Sequence, residues 1–293
     1  MPYYSGSAAN IGQVRDAIVS ACTANGWSWS NEVLGKDGVF VRLWIVNGWL
    51  RIQGRTSAAG GDAPTYCRIG PLQNEPYGKS PGVPPLIWPV TCHVFVFSAE
   101  VYCVIKFGTD AHFWLCFGKS AIAGLPGTGC WFGASVCGDL SGQVHNPIQC
   151  EYDGIYHRSN LPGFSPALFF GKYSRHINGA SCLLHHGFDV GSWSSSVFDG
   201  TAIAPLPATQ PNTWTSESVL LPIRHYVLRP ENKVSLALEL EHARHINVAN
   251  LEPGQVIALG ADRWMCFPWY RKSVAFSGVT TGPLGWAIRY EGP

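Results

Sequence analysis

The sequence predicts a mainly β fold made of antiparallel meanders or sandwich-like sheets, with one N-terminal α-helix, which is α+β by strict count. Three observations predict this class. Apolar runs rich in β-branched and aromatic residues follow one another through residues 86–120. Asn47-Gly48 separates two further such runs, which is the strongest short-range signal for a β-hairpin. Helical spacing is clear in one segment only, residues 7–25.

The helix predicted over residues 7–25 has a recognisable start, stripe and stop. Ser7 or Asn10 can cap its N-terminus, and Asn25-Gly26 supplies a left-handed stop. Its apolar residues recur at helical spacing, at Ile11, Val14, Ile18 and Cys22. We therefore expect this helix to pack on a sheet.

Three strands are predicted after the helix, over residues 27–34, 39–46 and 49–56. The turns between them are residues 35–38 and Asn47-Gly48. Residues 57–85 are rich in Gly and Pro, so we expect a long loop with an excursion around residues 66–69.

The central meander, residues 86–120, is predicted to form three antiparallel strands separated by turns at 98–100 and 108–110. Side chains alternate between the two faces of a strand. One face of the middle strand is then wholly apolar, with Val101, Cys103, Ile105 and Phe107. The other face carries Tyr102, Val104 and Lys106. We interpret this meander as the scaffold of the fold.

The rest of the chain divides into an irregular middle and an ordered end. Residues 138–181 have few periodic runs, and residues 205–214 form a Pro-rich connector. The predicted terminal strands are 219–228, 234–240, 245–248, 255–259, 264–269 and 285–290. The predicted domains are 1–137 (helix plus sheet), 138–210 (loop-rich insertion) and 211–293 (a C-terminal β segment packing on the first domain).

Composition favours an assembled protein. Charged residues make up 13% of the chain, against about 25% in an average soluble domain. So few charges beside 12 Trp residues predict exposed apolar patches, which usually mark protein contacts. The net charge is +1 and scattered, which argues against nucleic acid as a partner.

No apolar run approaches the ~20 residues that span a bilayer, and the first ten residues lack the features of a signal peptide. We therefore expect no membrane insertion, and synthesis in a cytoplasm. In that reducing compartment the ten cysteines, which include no C-x-x-C pair, are expected to be mostly small buried hydrophobes.

Sequence motifs for catalysis are incomplete. Gly118-Lys119-Ser120 resembles the end of a phosphate-binding loop, but Phe113 stands where that loop needs Gly. The stretch from Gly133 to Cys137 lacks the last Gly of an esterase elbow. We therefore predict no catalytic, cofactor or metal residues, and no cofactor.

Four histidines allow a metal alternative. His185 and His186 are adjacent, and His242 and His245 are three apart and would share a face only on a helix. We expect all four to be hydrogen-bonded or solvated instead. A paired-carboxylate enzyme site is an alternative in the irregular middle, with candidates Asp139, Glu151, Asp153, Asp189 and Asp199.

Several whole segments resemble a family of structural proteins from tailed bacteriophages and prophages. At the C-terminus these are LEPGQ (251–255), LGADRW (259–264), FPWYRK (267–272) and GWAIRYEGP (285–293). Elsewhere they are CTANGW (22–27), HFWLCFGKS (112–120) and PGTG (126–129). Residues 138–208 carry the resemblance poorly.

The resemblance implies a virion component of the tail or its distal baseplate, present in several copies and assembled in the bacterial host cytoplasm. Its partners would be other tail or baseplate proteins and copies of itself. Alternatives are a host-surface glycan receptor-binding module, a polysaccharide-degrading tail enzyme and a capsid decoration protein.

The candidate assembly contacts are Trp264, Trp269, Tyr270 and Arg271, since aromatic and Arg side chains are enriched in interface cores. The alternative is that the aromatic residues belong to the core of the subunit and that Arg271 is solvated.

Overall fold

The computed structural model describes residues 3–64, 66–70, 86–138, 144–145, 182–189, 192–194, 219–269, 271–272 and 284–292. Strand accounts for 57% of these residues and helix for 8%, in three antiparallel sheets with a single α-helix. The predicted mainly β class is therefore confirmed. None of the described helices is long and apolar enough to cross a membrane.

The helix α1 is Ile11–Thr23, and a 3-10 turn covers Pro230–Asn232. The strands are β1 Tyr3–Ala8, β2 Ser28–Ser30, β3 Val33–Lys36, β4 Val39–Val46, β5 Trp49–Arg55, β6 Cys67–Ile69, β7 Val90–Val96, β8 Glu100–Phe107, β9 Ala111–Lys119, β10 Cys130–Ala134, β11 Val136–Gly138, β12 Val144–His145, β13 Cys182–His185, β14 Trp193–Ser194, β15 Leu221–Arg229, β16 Lys233–Asn247, β17 Val256–Leu259, β18 Asp262–Pro268 and β19 Leu284–Arg289.

These strands form three sheets. The central sheet has the order β1-β7-β8-β9-β10-β13-β14. The helix-side sheet has the order β12-β11-β6-β5-β4-β3-β2, and the C-terminal sheet has the order β15-β16-β19-β18-β17. One apolar core joins the central sheet to α1 and the helix-side sheet, and a second joins its other face to the C-terminal sheet. The central sheet is therefore the middle layer.

The predicted meander forms β7, β8 and β9, and it supplies the middle of this layer. Val101, Cys103, Ile105 and Phe107 of β8 lie in the core on the helix side, which confirms the predicted apolar face. Tyr102 and Val104 lie in the other core. Because both faces of β8 are covered, burial of apolar surface on two sides stabilises this strand.

The helix begins four residues later than predicted. Asn10 caps it by accepting a hydrogen bond from Gln13 N at 3.0 Å, and Gly26 follows it with a φ of 81°. Ser7 belongs to β1, where it pairs with Thr91 of β7, so its proposed capping role is wrong. This pairing links residues far apart in sequence, and local spacing does not reveal it.

Three tight turns shape the helix-side sheet. Asp37-Gly38 and Asn47-Gly48 have positive φ at both residues, as two-residue hairpins require. So does Asn31-Glu32, with φ of 50° and 64°, which divides the single strand predicted over 27–34 into β2 and β3. Arg42 donates to Glu32 Oε2 at 2.8 Å and helps to hold this turn, although Glu rarely occupies that conformation.

The predicted loop-rich insertion, 138–210, contributes strands to two sheets where it is described, with β12 in the helix-side sheet and β13 and β14 in the central sheet. β13 pairs with β10, and β14 pairs with β13. The prediction of irregular structure over 138–181 falls mostly on residues outside the described ones. The predicted strands near the C-terminus are all present, but 234–240 and 245–248 form the single strand β16.

Candidate functional site

The candidate contact residues lie mostly inside the subunit. Trp269 is 1% exposed and stacks on Trp286 at a centroid distance of 4.7 Å, and Trp264 is 5% exposed in a smaller core. The guanidinium of Arg271 is not simply solvated, because it donates to Asp110 at 3.0 Å. Tyr270 lies outside the described residues. The placement of the two Trp rings fits the alternative of a subunit core, and their contact with a partner stays a prediction.

The adjacent histidines at the end of β13 are held by hydrogen bonds. Thr128 N donates to His185 Nδ1 at 3.1 Å. Phe188 N donates to His186 Nδ1 at 3.2 Å, and the other ring nitrogen of His186 lies 3.0 Å from Ser194 Oγ. Burial lowers the pKa of both imidazoles. These contacts confirm the expectation that the two rings are hydrogen-bonded.

His242 and His245 lie on a strand, not on a helix, so a shared helical face does not form. His245 is buried, and its ring lies 5.9 Å from that of Trp269. Burial lowers the pKa of His245 to about 4. Among the described residues, no group of three or more His, Cys, Asp or Glu side chains is arranged to hold a metal ion.

The best-defined polar cluster of the described residues is built around Glu100, at the start of β8. Its side chain is 2% exposed. The carboxylate accepts hydrogen bonds from Tyr102 Oη at 2.8 Å, from Glu241 N and His242 N at 3.0 Å each, and from His242 Nδ1 at 2.8 Å. We call Glu100, Tyr102 and His242 the Glu100 cluster. It joins the central sheet to the C-terminal sheet.

A β-bulge in β16 creates this arrangement. Arg224 pairs with Glu239, and Pro222 pairs with Arg244. In the register of the two strands, four residues of β16, 240–243, therefore lie opposite the single residue Ile223 of β15. Successive N–H groups of a regular strand point in opposite directions, whereas those of Glu241 and His242 both reach Glu100. Bulges re-aim backbone and side chains in this way, and converging N–H groups form a concavity that suits an anion. Glu100 fills that concavity.

The surroundings of the cluster are aromatic and basic. The His242 ring stacks on Phe97 at a centroid distance of 3.9 Å. Burial, followed by the negative charge of Glu100, raises the pKa of Tyr102 well above its usual value. The guanidinium of Arg244 donates to the carbonyl groups of Leu240 and Ala243 at 2.6 and 2.8 Å, so it satisfies acceptors of the bulge.

Chemically, Glu100 and His242 resemble the carboxylate–histidine pair that orients a general base in a catalytic triad. Nδ1–H of His242 donates to the carboxylate, so in the uncharged tautomer of this ring the lone pair is on Nε2. In the described part of the chain, however, the hydrogen bonds of this ring go to Glu100 alone. The four hydrogen bonds and the deep burial of the Glu100 carboxylate support a structural role, in which it links the two sheets.

The other candidate chemistry of the sequence gains little from the structure. Ser135, in the incomplete esterase elbow, is 2% exposed and bonds the backbone of Trp114. Asp189 accepts two hydrogen bonds from Arg229, and these lower the pKa of its carboxyl group. The remaining carboxylate candidates, Asp139, Glu151, Asp153 and Asp199, lie outside the described residues.

The sequence pattern places Glu100 in a turn, at 98–100, and does not reveal its role, whereas the structure places it at the start of β8. Its partners Glu241 and His242 are more than 140 residues away in sequence. The one local signal was an acidic residue placed directly before a strand that is apolar on one face.

The chain was also compared with known proteins. It matches no protein-family model and no curated protein.

Proposed function

We propose that this chain is a structural subunit of a tailed-bacteriophage virion, located in the tail or its distal baseplate. It acts by assembling with other virion proteins and with copies of itself. The proposal rests first on the segment resemblance, and the way in which those segments pack together supports it.

Three of the segments that resemble the phage family, CTANGW, FPWYRK and GWAIRYEGP, pack on a fourth, HFWLCFGKS, which forms most of β9. On the helix side, the ring of Trp27 contacts that of Phe117 at a centroid distance of 5.3 Å. On the other side, Trp114 contacts Trp269 and Trp286 at 5.6 and 6.0 Å. These four segments, far apart in sequence, therefore pack on the two faces of one strand. A common core of this kind is expected of a family that shares a scaffold, and it supports the proposal, which the segment resemblance carries.

The surface supports assembly as well. Large apolar side chains are exposed at Tyr4, Ile87, Val219, Val234, Val256 and Leu259. Single exposed apolar residues are ordinary, but here they accompany a chain that is only 13% charged. A chain with so few charged residues is suited to burial against neighbouring subunits.

The test is to purify virions of the phage that encodes this chain and to measure its copy number by quantitative mass spectrometry. We expect several copies per particle, and antibody-gold label at the tail tip or baseplate. Label on the head would replace the tail assignment with decoration of the capsid. A chain missing from purified particles would contradict the proposal.

A further inference from the structure

Among the described strands, β17 forms an edge of the C-terminal sheet with no strand on its outer side. In the described part of the chain, β17 pairs with β18 on one side, and it ends the sheet on the other. Its residues Val256 and Leu259 are 38% and 60% exposed. Proteins usually protect an exposed edge with Lys, Pro or an inward-pointing charge. The sequence of β17, Val-Ile-Ala-Leu, has none of these.

The register shows which backbone groups face outward. Cys266 N donates to Gln255 O at 2.9 Å, so the carbonyl of Gln255 points toward β18, whereas its N–H donates to Glu252 O at 2.8 Å. Backbone direction alternates along a strand, so Ile257 and Leu259 also face β18. Val256 and Ala258 then direct their N–H and C=O groups toward the free edge. That edge presents two donors and two acceptors.

We propose that β17 pairs with β17 of a second copy, antiparallel and about a two-fold axis through Ile257. Val256 of each copy then lies opposite Ala258 of the other, and the two pairs exchange four N–H···O bonds. Ile257 is the central residue of the segment from Gly254 to Gly260, and the segment has a glycine at each end. A two-fold contact requires such a self-complementary surface.

The electrostatics favour a second copy. The segment Gly254–Gly260 has no charged residue, so it brings no like charges together when it meets itself. Arg263 of β18 pairs with Ala258 of β17. Across the contact, Ala258 would lie opposite Val256 of the second copy, which pairs with Met265 of that copy. Asp262 of β18 pairs with Leu259 of β17, which would lie opposite the uncharged Gln255 of the second copy. Two five-stranded sheets thus become one continuous sheet with no charge opposite a like charge.

A contact of four residues per copy is small, so it acts best where other virion contacts hold the copies close together. This inference deepens the proposed assembly function, since it names a second copy as the partner.

Disulfide trapping in the full-length chain tests the geometry. The two Ile257 residues form a pair without mutual hydrogen bonds, whose Cα atoms lie about 4.5 Å apart, within disulfide range. Under mild oxidation, I257C is expected to give at least about fivefold more covalent dimer than L259C, by the geometric preference of disulfides. L259C is the matched control, because its exposed side chain faces Gln255 of the second copy and not itself.

A second variant tests the backbone pairing. Adding A258P to I257C removes an outward N–H and leaves the β18 hydrogen bonds intact, so dimer yield should fall to the L259C level. If A258P fails to fold by circular dichroism, V256D/A258D replaces it, since it places Asp opposite Asp. Equal yields from I257C and L259C, or no loss in a folded blocking variant, would overturn the pairing.

The virion measurement separates this result from the proposed function. A chain found in virions but showing no trapping overturns the strand pairing alone. A chain that is trapped but missing from virions overturns the proposed function alone.

Discussion

Substitution of Glu100 tests most directly whether its carboxylate holds the C-terminal sheet against the central sheet. Truncation by E100A removes the acceptor for the Tyr102 hydroxyl, two backbone N–H groups and the imidazole N–H of His242. Each buried donor left without a partner costs about 1–3 kcal/mol. Some of these donors will be rehydrated through the partly exposed His242 side, so we expect a loss of about 3–5 kcal/mol, typical of a broken buried pair.

Such a loss is a large part of the roughly 5–15 kcal/mol that stabilises a domain. The assay is urea unfolding followed by tryptophan fluorescence, since Trp269 and Trp286 lie at the same interface of the two sheets. E239Q is the matched control. Glu239 pairs with Arg224, and both side chains are at least 33% exposed. Losing that pair should cost less than about 1 kcal/mol. If E100A costs no more than E239Q, the link between the two sheets assigned to Glu100 does not exist.

Further predictions concern pH, the tryptophan core and the thiols. Burial lowers the pKa of His93 to about 4, that of His225 to about 3 and that of His245 to about 4. Below about pH 6.5, the usual pKa of a histidine in an unfolded chain, the unfolded state binds more protons than the folded state. The free energy of unfolding is therefore highest above about pH 6.5 and falls as the pH is lowered toward about 4. The expected loss at about pH 5 is on the order of 2 kcal/mol per histidine. Urea midpoints at pH 7.5 and 5 measure this, and equal midpoints would be incompatible with buried neutral rings. W269A should lower the free energy of unfolding by about 3–5 kcal/mol, because the ring is 1% exposed. R271A, which removes a partly exposed ion pair, should lower it by less than about 1 kcal/mol, and similar losses in the two variants would refute their assigned environments. Of the ten thiols, eight are buried, so at most two should react with a thiol reagent before urea is added. Rapid reaction of more than two would contradict the packing.

The parts of the fold that local chemistry specifies were predictable. Asn47-Gly48 supplies the positive φ of a hairpin, and the alternation of residues in β8 predicts the apolar face that packs in the core. The Asn31-Glu32 turn was missed, because Glu at positive φ is uncommon and the stabilising Arg42 contact lies on another strand. β1 was missed because its sequence is short and polar and its partner is β7.

The sequence predicts that one strand ends at residue 240 and another begins at residue 245, whereas the structure has a single strand, β16, with a bulge between these positions. Polar residues interrupt the apolar pattern there because the strand bulges and two of its N–H groups turn to Glu100. The sequence marks the position of the bulge, but it does not reveal the carboxylate that fills it. Long-range polar contacts of this kind depend on the packing of two sheets.

The most direct test of the central claim is a cryo-EM map of intact virions with this chain traced into it. The account predicts density at the tail tip or baseplate, with several copies and with β17 of neighbouring copies paired in one sheet. A peripheral copy with residues 138–208 facing outward would favour receptor binding, and particles without the chain would contradict a virion role altogether.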